Sequence, residues 1–247
     1  MAQSPQANPG MSLGALAKAD ELRNRLLFTL GALIVYRLGT FIPLPGIDPV
    51  ALSDVFGQQS SGILGMFDMF SGGALGRMTI FALNIMPYIT ASIIMQLMTA
   101  IVPSLETMKK DGEAGRKQIN QYTRYLTVLL ATFQGFGIAV ALESAGNIVA
   151  DPGMFFRLTT VVTLVGGTLF LMWLGEQITS RGIGNGISLI IFSGIVAEVP
   201  SALIGTLELG RTGALSAGLI VGVFVMAIAV IAFIVFIERS VRRILIQ

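Results

Sequence analysis

The chain has 247 residues, of which 53% are hydrophobic and only 12% charged, and its mean hydropathy is +0.78. A soluble domain carries roughly 25% charged residues, so this composition calls for a bilayer rather than water as solvent. With no cysteine and no histidine, thiol catalysis, disulfides, Cys/His zinc sites and a Ser-His-Asp triad are all excluded.

Residues 1–22 are polar and small, and residues 1–25 are expected to form a cytosolic arm. No cleavable signal is expected, because the first apolar run ends in Pro43-Leu44-Pro45-Gly46 and not in a small-x-small site. A hydrocarbon core of about 30 Å needs roughly 20 apolar helical residues to cross. Six windows approach that: Leu26–Phe41, Thr79–Val102, Tyr125–Leu142, Phe155–Leu174, Ile187–Ile204 and Ala214–Ile237. Pro43, Pro45 and Pro49, and later Asp151-Pro152-Gly153, mark breaks between them.

Between the first two windows, Gly62–Ala74 carries Ile63, Met66, Phe67 and Phe70 at i, i+3, i+4 and i+7, with Ser61 as a candidate N-cap. A helix this short cannot span. It is either an interfacial helix on the outer leaflet or a movable element packed inside the protein, with Gly72-Gly73 as the turn into the next span. Between the second and third windows, Glu106–Arg124 is polar and mixed in charge, as expected of a solvated cytosolic connector.

The basic residues fix orientation. Lys18, Arg23, Arg25, Lys109, Lys110, Arg116, Lys117, Arg124, Arg181, Arg239, Arg242 and Arg243 fall on one side; Arg77, Arg157 and Arg211 fall on the other, with Arg37 near the end of the first span. Twelve against three puts the first side in the cytosol by the positive-inside rule. Both termini are then cytosolic, which requires an even number of spans. The pI of 9.2 is thereby explained by topology. The basic residues occupy alternate loops without interleaved aromatics, so DNA is not an expected partner.

Arg181-Gly182-Ile183-Gly184-Asn185-Gly186 resembles a phosphate loop only superficially. It lies between two membrane windows, has no βαβ context and is followed by no Walker lysine, so it reads as a tight turn between helices. A coupled transporter should carry ionisable groups near mid-membrane. Here Glu143 and Glu198 sit towards the outer boundary, and mid-span polarity is limited to Asn84, Thr90, Ser92, Gln96, Thr163 and Thr168.

Four stretches carry a family resemblance: FIPLPGID (41–48), MFDMFSGGALGRMTIFALNIMPYITASIIMQL (66–97), KKDGEAGRKQINQYTRY (109–125) and MWLGEQITSRGIGNGISLIIF (172–192). Together, and in this order, they resemble the SecY family of protein-translocation channels. The resemblance implies an all-α membrane protein: six transmembrane helices over residues 26–237 plus a short external plug helix, the N-terminal half of a ten-span fold. Residues 238–247 would begin a cytosolic loop. On that resemblance Gly62–Ala74 is the plug, and Ile85, Ile89, Ile187 and Ile191 belong to the pore ring. Each isoleucine pair is spaced i, i+4, on one helical face. Asn84 would line the cytosolic funnel or lateral gate. Lys109, Lys110, Arg116, Lys117 and Arg124 would face cytosolic docking partners.

The family further implies no enzymatic activity and no cofactor. It implies a bacterial plasma-membrane location, the partners SecE, SecG, SecA and the ribosome, and unfolded secretory or membrane polypeptides as cargo. Because the chain ends soon after the sixth window, spans seven to ten are expected to be missing, and the chain alone is expected not to form a sealed channel. The competing readings are half of a solute transporter and a non-functional fragment.

Overall fold

The computed structural model describes residues 20–52, 68–69, 71–145, 148–213 and 216–240. Its elements are α1 (Asp20–Gly39), α2 (Met86–Ile101), α3 (Pro103–Lys110), α4 (Glu113–Ser144), α5 (Met154–Arg181), α6 (Gly186–Arg211) and α7 (Ala217–Arg239). Among the described residues there is no strand, only isolated antiparallel bridges Pro43↔Thr79 and Ile47↔Val149. The chain divides into two compact units at Ala197 and Glu198.

In the first unit, α1 starts six residues before the apolar window, with Asp20 and Glu21 in its first turn where the helix dipole favours anions. It stops where Thr40 Oγ1 takes up the Arg37 carbonyl at 2.7 Å and the prolines begin. The bridges then tie the proline-rich loop to two distant points: Leu44 N–H donates to the Met78 carbonyl at 2.9 Å, and Asp48 N–H to Ile148 at 2.8 Å.

The expectation of one helix over Thr79–Val102 is corrected. Residues 78–85 are bridge and turn, and Met78 and Asn84 have positive φ of 42° and 49°. An L-residue in the left-handed region ends an α-helix, so the regular part begins only at Met86, with Pro87 in its first turn. At the far end Val102 is extended and Pro103 opens α3, bending the chain by 99°.

Glu106–Arg124 is likewise not a loop. α3 covers its start, and α4 begins at Glu113, twelve residues before the expected Tyr125. Lys110 pairs with Glu106 at 2.7 Å, an i,i+4 contact that supports helix in a polar stretch.

α4 buries Thr123, Thr127, Ala131, Gly135 and Ala139, one residue per turn and all small. Such a stripe lets two backbones approach, and Gly135 lies against Val161 and Leu164 of α5. Glu143 at the end of α4 bonds Gly153 N–H at 2.9 Å and Arg157 Nε at 2.7 Å, closing the turn between the two helices. α5 and α6 are joined by a turn at 182–185, as the glycine pattern predicts. Asn185 Oδ1 accepts from the backbone N–H of Ile187 and Ser188, capping α6.

The second unit comprises the distal part of α6, a turn with Gly213 at φ 76°, and α7, whose N-cap Ser216 accepts from Leu219 N–H.

Among the described residues, four helices, α4 to α7, are long and apolar enough to cross a membrane, and a fifth is reached if the bent pair α2–α3 is one span. α1 falls short by composition, because Arg23, Arg25 and Arg37 all lie within any 18-residue window of it. The structure is that of a multi-pass, all-helical membrane protein.

Candidate functional site

Two apolar clusters form the interior of the first unit. One joins Leu44, Leu52, Met78, Leu83, Leu142, Ile148, Phe156 and Leu164. The other joins Tyr36, Phe81, Ile85, Leu171, Leu174, Ile178 and Ile190, with Ile80, Tyr88, Ile89 and Ile187 packed half-buried at its edge. The second cluster contains three of the four isoleucines that the family resemblance singles out.

Ile85 is buried at the N-cap of α2, and its carbonyl accepts from Ile89 N–H at 3.0 Å. Ile187 sits in the first turn of α6, held by the Asn185 cap. The buried positions of α6 in this unit are Gly186, Ile190 and Gly194, a fourfold repeat. Ile187 and Ile191 lie one position round from it, and both are half-buried. Ile85, Ile89 and Ile187 are thus brought into one cluster; Ile191 is on the same helix but not in it. The fully buried member from α6 is Ile190, which spacing alone did not single out.

The close approach of α5 and α6 depends on paired glycines. A Cβ at Gly175 would lie 2.9 Å from Ile187 Cγ1, and one at Gly186 would run into the Gly175 carbonyl. An aromatic stack crosses the cluster: Tyr36 to Phe81 at 6.1 Å, Phe81 to Phe170 at 5.8 Å, and Phe170 to Trp173 at 5.8 Å between ring centroids. Asn84 is buried, at positive φ, and borders the apolar groove between 71–90 and α4.

A polar pocket of about 300 Å³ opens beside Ile187, lined also by Tyr88, Asn120, Glu176, Thr179, Ser180 and Asn185. A larger apolar groove, about 590 Å³, runs between 71–90 and α4, but neither Ile85 nor Ile89 lines it.

Ile63, Met66, Phe67 and Phe70 lie outside the described residues. The described end of the same stretch is bonded to α1. Arg37 Nη1 donates to the Gly72 carbonyl at 2.9 Å, and the Tyr36 hydroxyl donates to the Ser71 carbonyl at 3.4 Å.

Lys109, Lys110, Arg116 and Lys117 are exposed on α3 and the start of α4. Arg124 differs from them. It is turned onto α5 in a two-pronged pair with Glu176, Nε–Oε1 3.2 Å and Nη2–Oε2 2.6 Å. Glu176 is visible in the sequence as a lone carboxylate just beyond the Phe155–Leu174 window, but nothing in the spacing points to Arg124, 52 residues earlier, as its partner.

The SecY family model matches residues 79–247. The chain is 58% identical to "Protein translocase subunit SecY" of Rickettsia conorii (strain ATCC VR-613 / Malish 7), covering 92% of this chain and 54% of the relative. It is 53% identical to the protein of the same name from Escherichia coli (strain K12), over 100% of this chain and 56% of the relative. The chain spans about half the length of these curated relatives. In fold it is similar to Sec61 in the canine ribosome-channel complex from the endoplasmic reticulum, with a TM-score of 0.65 at 18% identity, covering 91% of this chain and 50% of that one.

Proposed function

The chain belongs to the SecY family, and on that premise we propose that it forms the six-span N-terminal half of a protein-conducting channel in the bacterial plasma membrane. The family's relatives bear the name of a translocase subunit, which favours a conduit for polypeptide over half of a solute transporter. In this reading α1 is the first span, the bent pair α2–α3 carries the second, and α4 to α7 are the third to sixth. The excess of Lys and Arg on alternate loops supports cytosolic termini.

One observation carries the proposal: Ile85 at the N-cap of α2, Ile89 within it and Ile187 of α6 meet at one apolar cluster although about 100 residues of chain separate the first two from the third. With Ile191, they form this half's share of a narrow apolar waist that excludes water and ions yet yields to a passing chain. Gly62–Ala74 acts as the plug on the outer side. Lys109, Lys110, Arg116 and Lys117 present positive charge to a cytosolic partner, SecA or the ribosome, and Arg124 braces α4 on α5. SecE and SecG complete the assembly, and the energy for transport comes from the partners, not from catalysis in this chain.

Complementation tests the reading. In cells depleted of the channel subunit, this chain supplied together with a separate polypeptide carrying spans seven to ten of a relative is expected to restore export of a secreted reporter. Failure of the pair, with both halves inserted and associated, contradicts it.

A further inference from the structure

Gly72 is a closely packed backbone position where the turn after residue 71 meets α1 and α6. Its φ is +66° and that of Gly73 is +76°, so the chain reverses through two left-handed residues in a row. A Cβ on Gly72 would lie 3.0 Å from Gly194 Cα on α6 and 3.1 Å from Arg37 Nη1 on α1. The glycine is therefore held between two helices, with a guanidinium on one side and bare backbone on the other.

The Gly72 carbonyl accepts from Arg37 Nη1 at 2.9 Å and also from Arg77 Nη2 at 3.0 Å, while Arg77 Nε donates to Gly73 at 2.9 Å. Both guanidiniums stack on Phe41, at 5.1 Å and 4.6 Å from the ring centroid. One residue before Gly72, Tyr36 reaches the Ser71 carbonyl, and Ser71 Oγ donates to the Asp68 carbonyl at 2.9 Å. Two consecutive α1 residues, Tyr36 and Arg37, thus grip two consecutive carbonyls of a segment built to turn.

A long cationic side chain near the end of a span can snorkel towards water, but the Arg37 guanidinium bonds the Gly72 carbonyl. A cation near the end of an apolar span is costly unless it is bonded, and here the bond is made inward, to a hinge. A Cβ at either position would strain this left-handed turn, so glycine is required here, and beside the bonds inside the segment its link to α1 is made by Tyr36 and Arg37. We infer that Arg37 is a positioning residue, a latch that holds the Gly72–Gly73 hinge onto α1 and keeps residues 71–74 packed against α6. The inference rests on the channel reading for its purpose, since there the hinge connects the plug to the second span. The contact itself can be tested without transport.

The chain has no cysteine, so single thiols report cleanly. Ala74 and Ala139 are both fully buried, the first just beyond the hinge and the second in the α4–α5 interface. In membrane vesicles, Arg37→Ala is expected to raise the rate at which A74C reacts with a water-soluble maleimide about tenfold, by local opening, and to leave A139C slow. Arg37→Lys, which keeps a charged donor, is expected to be slower than Arg37→Ala. An unchanged A74C rate in Arg37→Ala overturns the latch, and so does an equal rise at A139C, which would mean general loosening. An Arg37-dependent A74C rate in a chain that fails complementation keeps the latch and removes the channel reading.

Discussion

Gly175 lies directly beneath Ile187, so that a Cβ in its place would come within 2.9 Å of the Ile187 Cγ1 and 3.5 Å of its backbone nitrogen. The first turn of α6 cannot move away freely, because Asn185 bonds Ile187 N–H and Gly186 N–H is held by Thr179 Oγ1 at 2.9 Å. Gly175→Ala is therefore expected to displace Ile187 and to destabilise the purified protein by roughly 1–3 kcal/mol, the usual range for overpacking. Thermal unfolding in detergent, followed by the fluorescence of the single Trp173, measures it.

Two adjacent glycines on α5 should respond in opposite ways. A Cβ at Gly167 would run into the Ile80 carbonyl, whereas at Gly166 it meets nothing within 4 Å. Gly167→Ala is expected to destabilise by about 1–3 kcal/mol. Gly166→Ala should be neutral or stabilising by up to about 1 kcal/mol, the helix-propensity gain over glycine. The same thermal measurement on the two variants decides it.

Arg124 and Glu176 brace α4 on α5 through a pair that is only partly shielded, with side chains 42% and 34% exposed. Screening limits its worth to roughly 0.5–1 kcal/mol, less at high salt. A double-mutant cycle of Arg124→Ala and Glu176→Ala should return a coupling of that size that shrinks in high salt, and the swap R124E with E176R should recover part of it. Additive single effects would show that the two side chains do not interact.

Orientation follows from charge and is open to direct labelling. A single cysteine at Lys117, exposed on α4, should react with an impermeant thiol reagent from the cytosolic side only. One at Asp151, exposed in the turn before α5, should react from the opposite side only.

Much of this was legible in the sequence, and the exceptions have physical causes. Hydropathy finds α4 to α7 because a bilayer solvates apolar side chains whatever their neighbours, and the glycines at 182–186 announce the turn before α6. The break at 78–85 was not legible: Met78 is forced to positive φ where its carbonyl takes the Leu44 N–H and its side chain enters the first cluster. That is tertiary context overriding a helical pattern. The helicity of 106–124 was partly legible, since Glu106 and Lys110 stand at i,i+4, but polarity alone reads as loop. At the candidate site, Ile85, Ile89, Ile187 and Ile191 came from the family resemblance. The burial of Ile190 and the pairing of Arg124 with Glu176 depend on which helices become neighbours, which no local pattern states.

The central claim is that Ile89 and Ile187 face a path for unfolded polypeptide while Ile93, 52% exposed on the same helix as Ile89, does not. Photo-crosslinking tests it most directly, with a photoreactive residue at each position in turn, in membranes where this chain is paired with the remaining spans and a secretory polypeptide is arrested in transit. Adducts to the polypeptide at 89 and 187 but not at 93 are predicted. Equal adducts at all three positions, or adducts at 93 alone, would contradict the account.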